Sequence, residues 1–279
     1  MYNITTVISY CSRSYKFLKP CIQHIKDFSD EIIIPVSDHF FNGDSENCDL
    51  INKSIKENPE ANFLEFEWNP SLYKNLELQS LNDPFTPVKY MVNINPYEDI
   101  WFWNQLQRCI GWENTSSKYI LFIDADEICH TERFLEWLNI FPYEEYNSIR
   151  FDSFFYFLQP SFQSKTTEEW NGITIVKKEA LSQETFFLHS SERLNFINFV
   201  EGKRKTKTEG LDGMPLWHHY SWVGNKQELL KKTVSWSHNR DRNWEYLIEK
   251  EFERDFNPDT DTCFVHNYNY KKVVPYVEV

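Results

Sequence analysis

With 279 residues the chain can bury one substantial core, and a single domain carrying a C-terminal extension is the expected organisation. A formal charge of −13 argues against nucleic acid as a partner, because such a surface repels phosphate backbones. Six scattered cysteines without a CxxC pair exclude a zinc ribbon or a dense disulfide frame, and no window approaches the roughly 20 apolar residues of a spanning helix.

Residues 1–10 run straight into a strand-like segment without a basic-then-apolar signal pattern, so a cytoplasmic protein is expected. Low glycine with abundant Asn, Lys, Phe and Tyr points to an AT-rich genome, hence a bacterial or virus-infected host cell. Aromatic residues make up 17% of the chain, enough to fill a Leu-poor core or to stack on sugar rings or a base. Exposed aromatics would also leave peripheral contact with a membrane open. Nothing in the sequence bears on oligomeric state.

In chain order, the β-branched run ITTVIS (4–9) predicts a strand, closed by the polar turn 11–14 and followed by a helix over 15–28. EIIIPV (31–36) reads as a fully buried strand, 45–58 as a helix and 62–68 as a strand. This alternation is that of right-handed crossovers and a parallel sheet, whose ligands bind beyond the carboxyl ends of the strands. Periodicity fails over 69–96, where four prolines predict a long loop of the kind that often carries function. Helical spacing returns at 98–112.

The most informative segment is KYILFIDADEI (118–128), an apolar strand that stops at Asp124-Ala125-Asp126-Glu127. Three carboxylates gathered at a strand end repel one another, and a bound cation offsets that cost. In extended backbone Asp124 and Asp126 would point to the same side. Their oxygens suit Mg²⁺ or Mn²⁺, which complete their shells with substrate phosphates. The competing reading is an acidic cap on a helix beginning near Thr131.

Segments 4–14, 31–38 and 98–128, with the DxDE motif and the Asn104-x-x-x-Arg108 pattern on the preceding helix, resemble the nucleotide-binding half of GT-A glycosyltransferases, particularly family 2-like enzymes. The resemblance implies a GT-A (Rossmann-like) α/β fold: a mixed, mainly parallel central sheet flanked by helices, with a helical C-terminal extension. Residues 1–223 would form the catalytic domain, 1–128 being its nucleotide-binding half and 129–223 its acceptor half, with 224–279 packed on it. It implies a nucleotide-sugar donor bound by Ser9, Arg13, Asp38, Asn104, Arg108 and Asp124, a Mn²⁺ or Mg²⁺ ion on Asp124 and Asp126, and a glycan or glycoconjugate acceptor. At the second strand VSDHF (36–40) replaces the usual acidic-Gly-Ser turn.

Beyond the motif, 148–158 and 172–177 predict strands, separated by a polar segment suited to an acceptor-side loop; 179–199 is ambiguous. An inverting transferase needs a carboxylate that removes the acceptor hydroxyl proton. Glu192 is the first choice, with Asp212 and Glu201 behind it. The basic run 203–207 reads as a mobile loop whose Lys205 could close over the diphosphate. In PLWHHYSWV (215–223) the family resemblance makes His219, ahead of His218, the further metal ligand. Residues 226–236 and 244–256 predict amphipathic helices. A metal-dependent phosphohydrolase or nucleotidyltransferase, or a non-catalytic carbohydrate-binding protein, are the alternatives. The first would need more converging carboxylates, and the second would not need DxDE on a buried strand.

Overall fold

The computed structural model describes residues 2–69, 100–187, 192–235 and 242–279, the side chains of 168–171 and 192 excepted. Its first half follows the predicted alternation: β1 (Ile4–Ser9), α1 (Tyr15–Ile25), β2 (Glu31–Ser37), α2 (Cys48–Glu57) and β3 (Asn62–Phe66). The helix predicted from 45 starts only at Cys48, because the Asn47 side chain accepts the Leu50 amide at 3.1 Å and so caps it. The predicted loop at 69–96 lies almost wholly outside the described residues. α3 (Ile100–Asn114) leads into β4 (Tyr119–Asp124).

Strands β3, β2, β1 and β4 are parallel and lie in that order. The three inner strands β2, β1 and β4 are buried almost end to end because both faces are covered, whereas the edge strand β3 is partly exposed. In β1, Ile4 and Ile8 join the α1 residues Phe17, Leu18, Cys21, Ile22 and Ile25, while Val7 packs on the other face with Cys109 of α3. β4 divides in the same way, Leu121 and Ile123 against Ile120 and Phe122. Burying one such side chain contributes about 1.5–3 kcal/mol. The strand order reverses between β1 and β4, where Ser9 pairs with Asp124, so the carboxyl ends of these two strands open the crevice in which α/β sheets bind ligands.

The second half mixes strand directions. A short strand absent from the predicted elements, β5 (Glu127–Cys129), precedes α4 (Thr131–Ile140). β6 (Ser148–Lys177) covers both predicted strands and the segment between them. Thirty residues of straight strand would span roughly 100 Å at ~3.3 Å per residue, and the chain instead folds back, with the Lys177 amide donating to the Asn147 carbonyl at 2.9 Å. Its first arm pairs with β8 (Trp217–Val223) and its last with β4. Two short helices, α5 (Gln183–Phe187) and α6 (Asn195–Asn198), occupy the ambiguous stretch.

The basic run does not form the expected loop. Arg204–Thr208 is β7, a strand paired with β6. Ladder bonds to β6 hold it extended, and Lys207 pairs with the buried Asp152 carboxylate at 3.3 Å. After α7 (Lys226–Ser235) and α8 (Trp244–Phe252), β9 (Tyr270–Lys272) joins β6 antiparallel. Leu229, Trp244 and Ile248 pack on Phe155, Phe157 and Trp222 of the sheet. Among the described residues no helix is long and apolar enough to cross a membrane.

Candidate active site at the ends of β1 and β4

A cavity of about 380 Å³ opens where β1 and β4 end, within the rough 300–1,000 Å³ range of small-molecule sites. Ser9, Asp124, Asp126 and His219 line it, together with Arg13, Phe40, Trp222 and Trp244.

The two aspartates reach the cavity by different routes, which corrects the expectation that strand alternation aligns them. β4 ends at Asp124, and Ala125 and Asp126 form a turn. The Asp126 carbonyl then accepts the Tyr220 amide at 2.8 Å, tying that turn to β8. Asp124 faces α3 and takes a bond from Arg108 Nη2 at 2.9 Å, with Arg193 Nη2 at 3.7 Å. Burial would raise its pKa, but Arg193 and then Arg108 pull harder and hold it at about 2.

Glu127 is not a ligand facing the cavity. Its carboxylate is fully buried and accepts two Arg193 bonds at 2.5 and 2.7 Å, plus the Asp124 amide at 2.8 Å. Burial pushes Glu127 upward; the Arg193 fork and that amide favour its ionised form. Asp126 in turn has Lys232 Nζ at 3.1 Å from Oδ2 and His219 Nε2 at 3.8 Å from Oδ1. Lys232 also donates to the carbonyl and hydroxyl of Ser221, both at 2.6 Å.

Asp126 Oδ1 and His219 Nε2 supply the oxygen and nitrogen donors that a divalent first-row ion accepts. Among the described residues no group of three or more His, Cys, Asp or Glu converges. The donor set therefore fits an ion that takes two protein ligands and fills its remaining positions from phosphate and water.

Pairing of β5 with β8 decides between the two histidines, because it sets Glu127 opposite His219 and Ile128 opposite His218. His219 then faces the cavity. His218 turns to the opposite face, shares a hydrogen bond with the Tyr156 hydroxyl at 2.7 Å and stacks on Tyr276 with ring centres 4.2 Å apart. Burial drives its pKa down to about 3, so it is neutral near pH 7.

Several predicted donor-site residues are brought together. Ser9 ends β1 with a buried hydroxyl that has no hydrogen-bond partner among the described residues. Arg13 places its guanidinium 3.9 Å over the Phe40 ring and donates to the Lys231 carbonyl at 2.6 Å. Asn104 lines the cavity and accepts from Arg108, which stands behind Asp124. Asp38 lies just outside, accepting the Trp68 amide at 2.8 Å, and its neighbours Ser37 and His39 line the cavity instead.

Other predicted residues are elsewhere. Lys205 sits in β7 opposite Ile149, away from the cavity lining. Asp212 is exposed, bound to Arg133 at 2.5 Å and to the Met214 amide at 3.1 Å, and it too is outside the lining. Glu201 is exposed, its carbonyl taken by Asn147. Glu192 opens a 3-10 turn (Glu192–Leu194), and its side chain is outside the described residues.

Three further residues of the cavity carry weaker signals in the sequence. Arg193, an Arg in the polar cluster of an acidic chain, is a natural partner for DxDE. Lys232 reads in sequence as one of a solvated helical pair, and no local signal separates it from Lys231. Glu46, buried, accepts from the Ser12 hydroxyl and amide and from the Asn47 amide, fixing the turn that carries Arg13.

No protein-family model matches the sequence, and no curated protein matches it. Solved structures to which the chain is similar include glucosyl-3-phosphoglycerate synthase from Mycobacterium tuberculosis in complex with Mn²⁺, UDP and phosphoglyceric acid, at 14% identity over 75% of this chain and 72% of that one, with a TM-score of 0.36. S. aureus TarS 1-349 aligns at 9% identity over 90% and 72%, with a TM-score of 0.40. Mannosyltransferase PcManGT from Pyrobaculum calidifontis, in complex with GDP-Man and Mn²⁺, aligns at 6% identity over 83% and 60%, with a TM-score of 0.41.

Proposed function

We propose that the chain is a metal-dependent glycosyltransferase of the GT-A type, moving a sugar from a nucleotide-sugar donor to a hydroxyl of a glycan or glycoconjugate by a single inverting displacement. The observation that carries this reading is the meeting of Asp126 and His219 at 3.8 Å, beside the β1/β4 reversal and inside a cavity.

Asp126 and His219 would hold a divalent Mn²⁺ or Mg²⁺ ion, which when bound supplies the positive charge that offsets a diphosphate. Asp124, ionised and clamped by Arg108 and Arg193, presents a fixed acceptor to donor hydroxyls. Arg13 and Phe40 offer a flat cationic and aromatic wall against which a base can stack. Trp222 and Trp244, which also line the cavity, offer apolar faces suited to sugar rings.

Glu192 is assigned as base, because its backbone directly precedes Arg193, whose side chain contacts both Asp124 and Glu127. The acceptor hydroxyl gives its proton to the Glu192 carboxylate, and its oxygen bonds to the anomeric carbon. The bond from that carbon to the phosphate oxygen breaks, and the nucleoside diphosphate leaves. Thermal-shift screening of UDP-, GDP- and dTDP-sugars with and without Mn²⁺ tests the reading. One donor is expected to raise the melting temperature only when Mn²⁺ is present; no shift with any of them would overturn it.

A further inference from the structure

Lys232 occupies a place that the glycosyltransferase reading leaves unexplained. Its ammonium lies 3.1 Å from Asp126 Oδ2, on the carboxylate whose other oxygen faces His219, and it lines the same cavity. Arg108 and Arg193 hold Asp124 and Glu127 while Lys232 holds Asp126, so each carboxylate of the motif already has a cationic partner before any metal arrives. A cation entering at Asp126 therefore meets a carboxylate that is already neutralised.

The helix that carries this lysine is anchored independently of it. Asn225 caps α7 by accepting the Gln227 and Glu228 amides at 3.0 and 3.1 Å, and Glu228 returns a bond to the Asn225 amide at 2.8 Å. Arg13 donates to the Lys231 carbonyl, and Lys16 lies 3.4 Å from Glu228. The backbone at Lys232 is thus fixed while its four-carbon stem lets the ammonium move by a few ångströms.

We infer that Lys232 is an internal counter-ion that competes with the divalent cation for Asp126 and, once displaced, turns to the donor's diphosphate. This rests on the proposed function and adds a residue to it. The chemistry favours such an exchange: a nucleoside diphosphate carries more negative charge than one divalent ion neutralises, and the released ammonium, held near Ser221, is a donor already inside the cavity.

The experiment measures Mn²⁺ binding to the full chain by electron paramagnetic resonance, first alone and then with UDP or GDP, for the wild type, Lys232→Gln and Lys232→Arg. Removing a like charge beside the ion should make Lys232→Gln bind Mn²⁺ alone roughly tenfold more tightly and the Mn²⁺–nucleotide pair roughly tenfold more weakly. Lys232→Arg should stay near the wild type. Mn²⁺ binding alone that is no tighter in Lys232→Gln, or nucleotide binding that is undiminished, would overturn the inference; a purely structural lysine would weaken both.

Should Lys232→Gln fail to fold, the wild type supplies a second measurement. After ¹³C-methylation of its lysines, the Lys232 resonance should shift on addition of Mg²⁺, and an unmoved resonance would overturn the inference. A wild type that binds neither Mn²⁺ nor nucleotide would instead overturn the glycosyltransferase reading, and this inference with it.

Discussion

Glu127 stands opposite His219 in the antiparallel pair of β5 and β8, and the two side chains do different work. Glu127 is buried against Arg193, whereas His219 faces Asp126 in the cavity. The acidic motif is thus divided between a carboxylate that fixes the turn and two that face the cavity.

The Arg193–Glu127 pair is fully buried, so removing one partner leaves an uncompensated charge. Arg193→Met is expected to cost about 3–5 kcal/mol in urea unfolding. The double variant Arg193→Met/Glu127→Gln should recover part of that loss, because the stranded charge is gone. A double variant no more stable than the single one would show that the pair is not the source of the cost.

His219 and His218 should separate cleanly. His219→Ala is expected to weaken Mn²⁺-dependent nucleotide binding by at least about tenfold, as for loss of one ligand. His218→Ala should do the reverse, losing about 2 kcal/mol or more of stability through the emptied space against Tyr276 while nucleotide binding persists. Calorimetric titration and urea unfolding on both variants check this.

Asp212 is exposed and, among the described residues, is paired with Arg133 and a local amide. Asp212→Asn is expected to shift stability by no more than about 1 kcal/mol and to leave transfer intact. Asp126→Asn should abolish metal-dependent nucleotide binding. Transfer assays on the two variants compare the exposed carboxylate with the cavity one.

Acid should destabilise the fold in two stages. Burial lowers His218 and His266 to about 3, so between about 6.5 and 3 the unfolded chain binds more protons than the native one. Stability therefore falls as pH drops through that window, by up to about 1.4 kcal/mol per pH unit for each histidine. Asp124, held at about 2, contributes stability that is present above its unfolded pKa near 4 and is lost as pH falls through 2. Urea midpoints from pH 7 to 4 should show the histidine slope, and His218→Gln should make it shallower by up to about 1.4 kcal/mol per pH unit.

Close packing at the site's support is testable at Gly111 of α3. A Cβ there would meet Val7 Cγ1 of β1 at 2.4 Å. Gly111→Ala is expected to destabilise by about 1–3 kcal/mol, although alanine ordinarily favours a helix, and a gain in stability would contradict the close contact.

The sequence by itself determined the elements of the first half and the residues to watch in it. ITTVIS, EIIIPV and YILFID are β-branched or apolar runs without the polar alternation of a half-exposed strand, because both faces of these strands are buried, and that pattern is local. The abrupt change to Asp124-Ala125-Asp126-Glu127 is local too. Tertiary structure decided who meets whom. Lys232 reaches Asp126 from 106 residues away, and Arg193 reaches Glu127 from 66 residues away. Neither pairing leaves a trace in local spacing, because a lysine on a helix and an arginine in a polar turn look the same whether solvated or buried. Strand β5 was invisible for a related reason: three residues are too few to show a period, and only the ladder to β8 makes them a strand. That ladder also turns His219 inward and His218 away, a choice that two adjacent histidines cannot encode until the strand beside them sets the register.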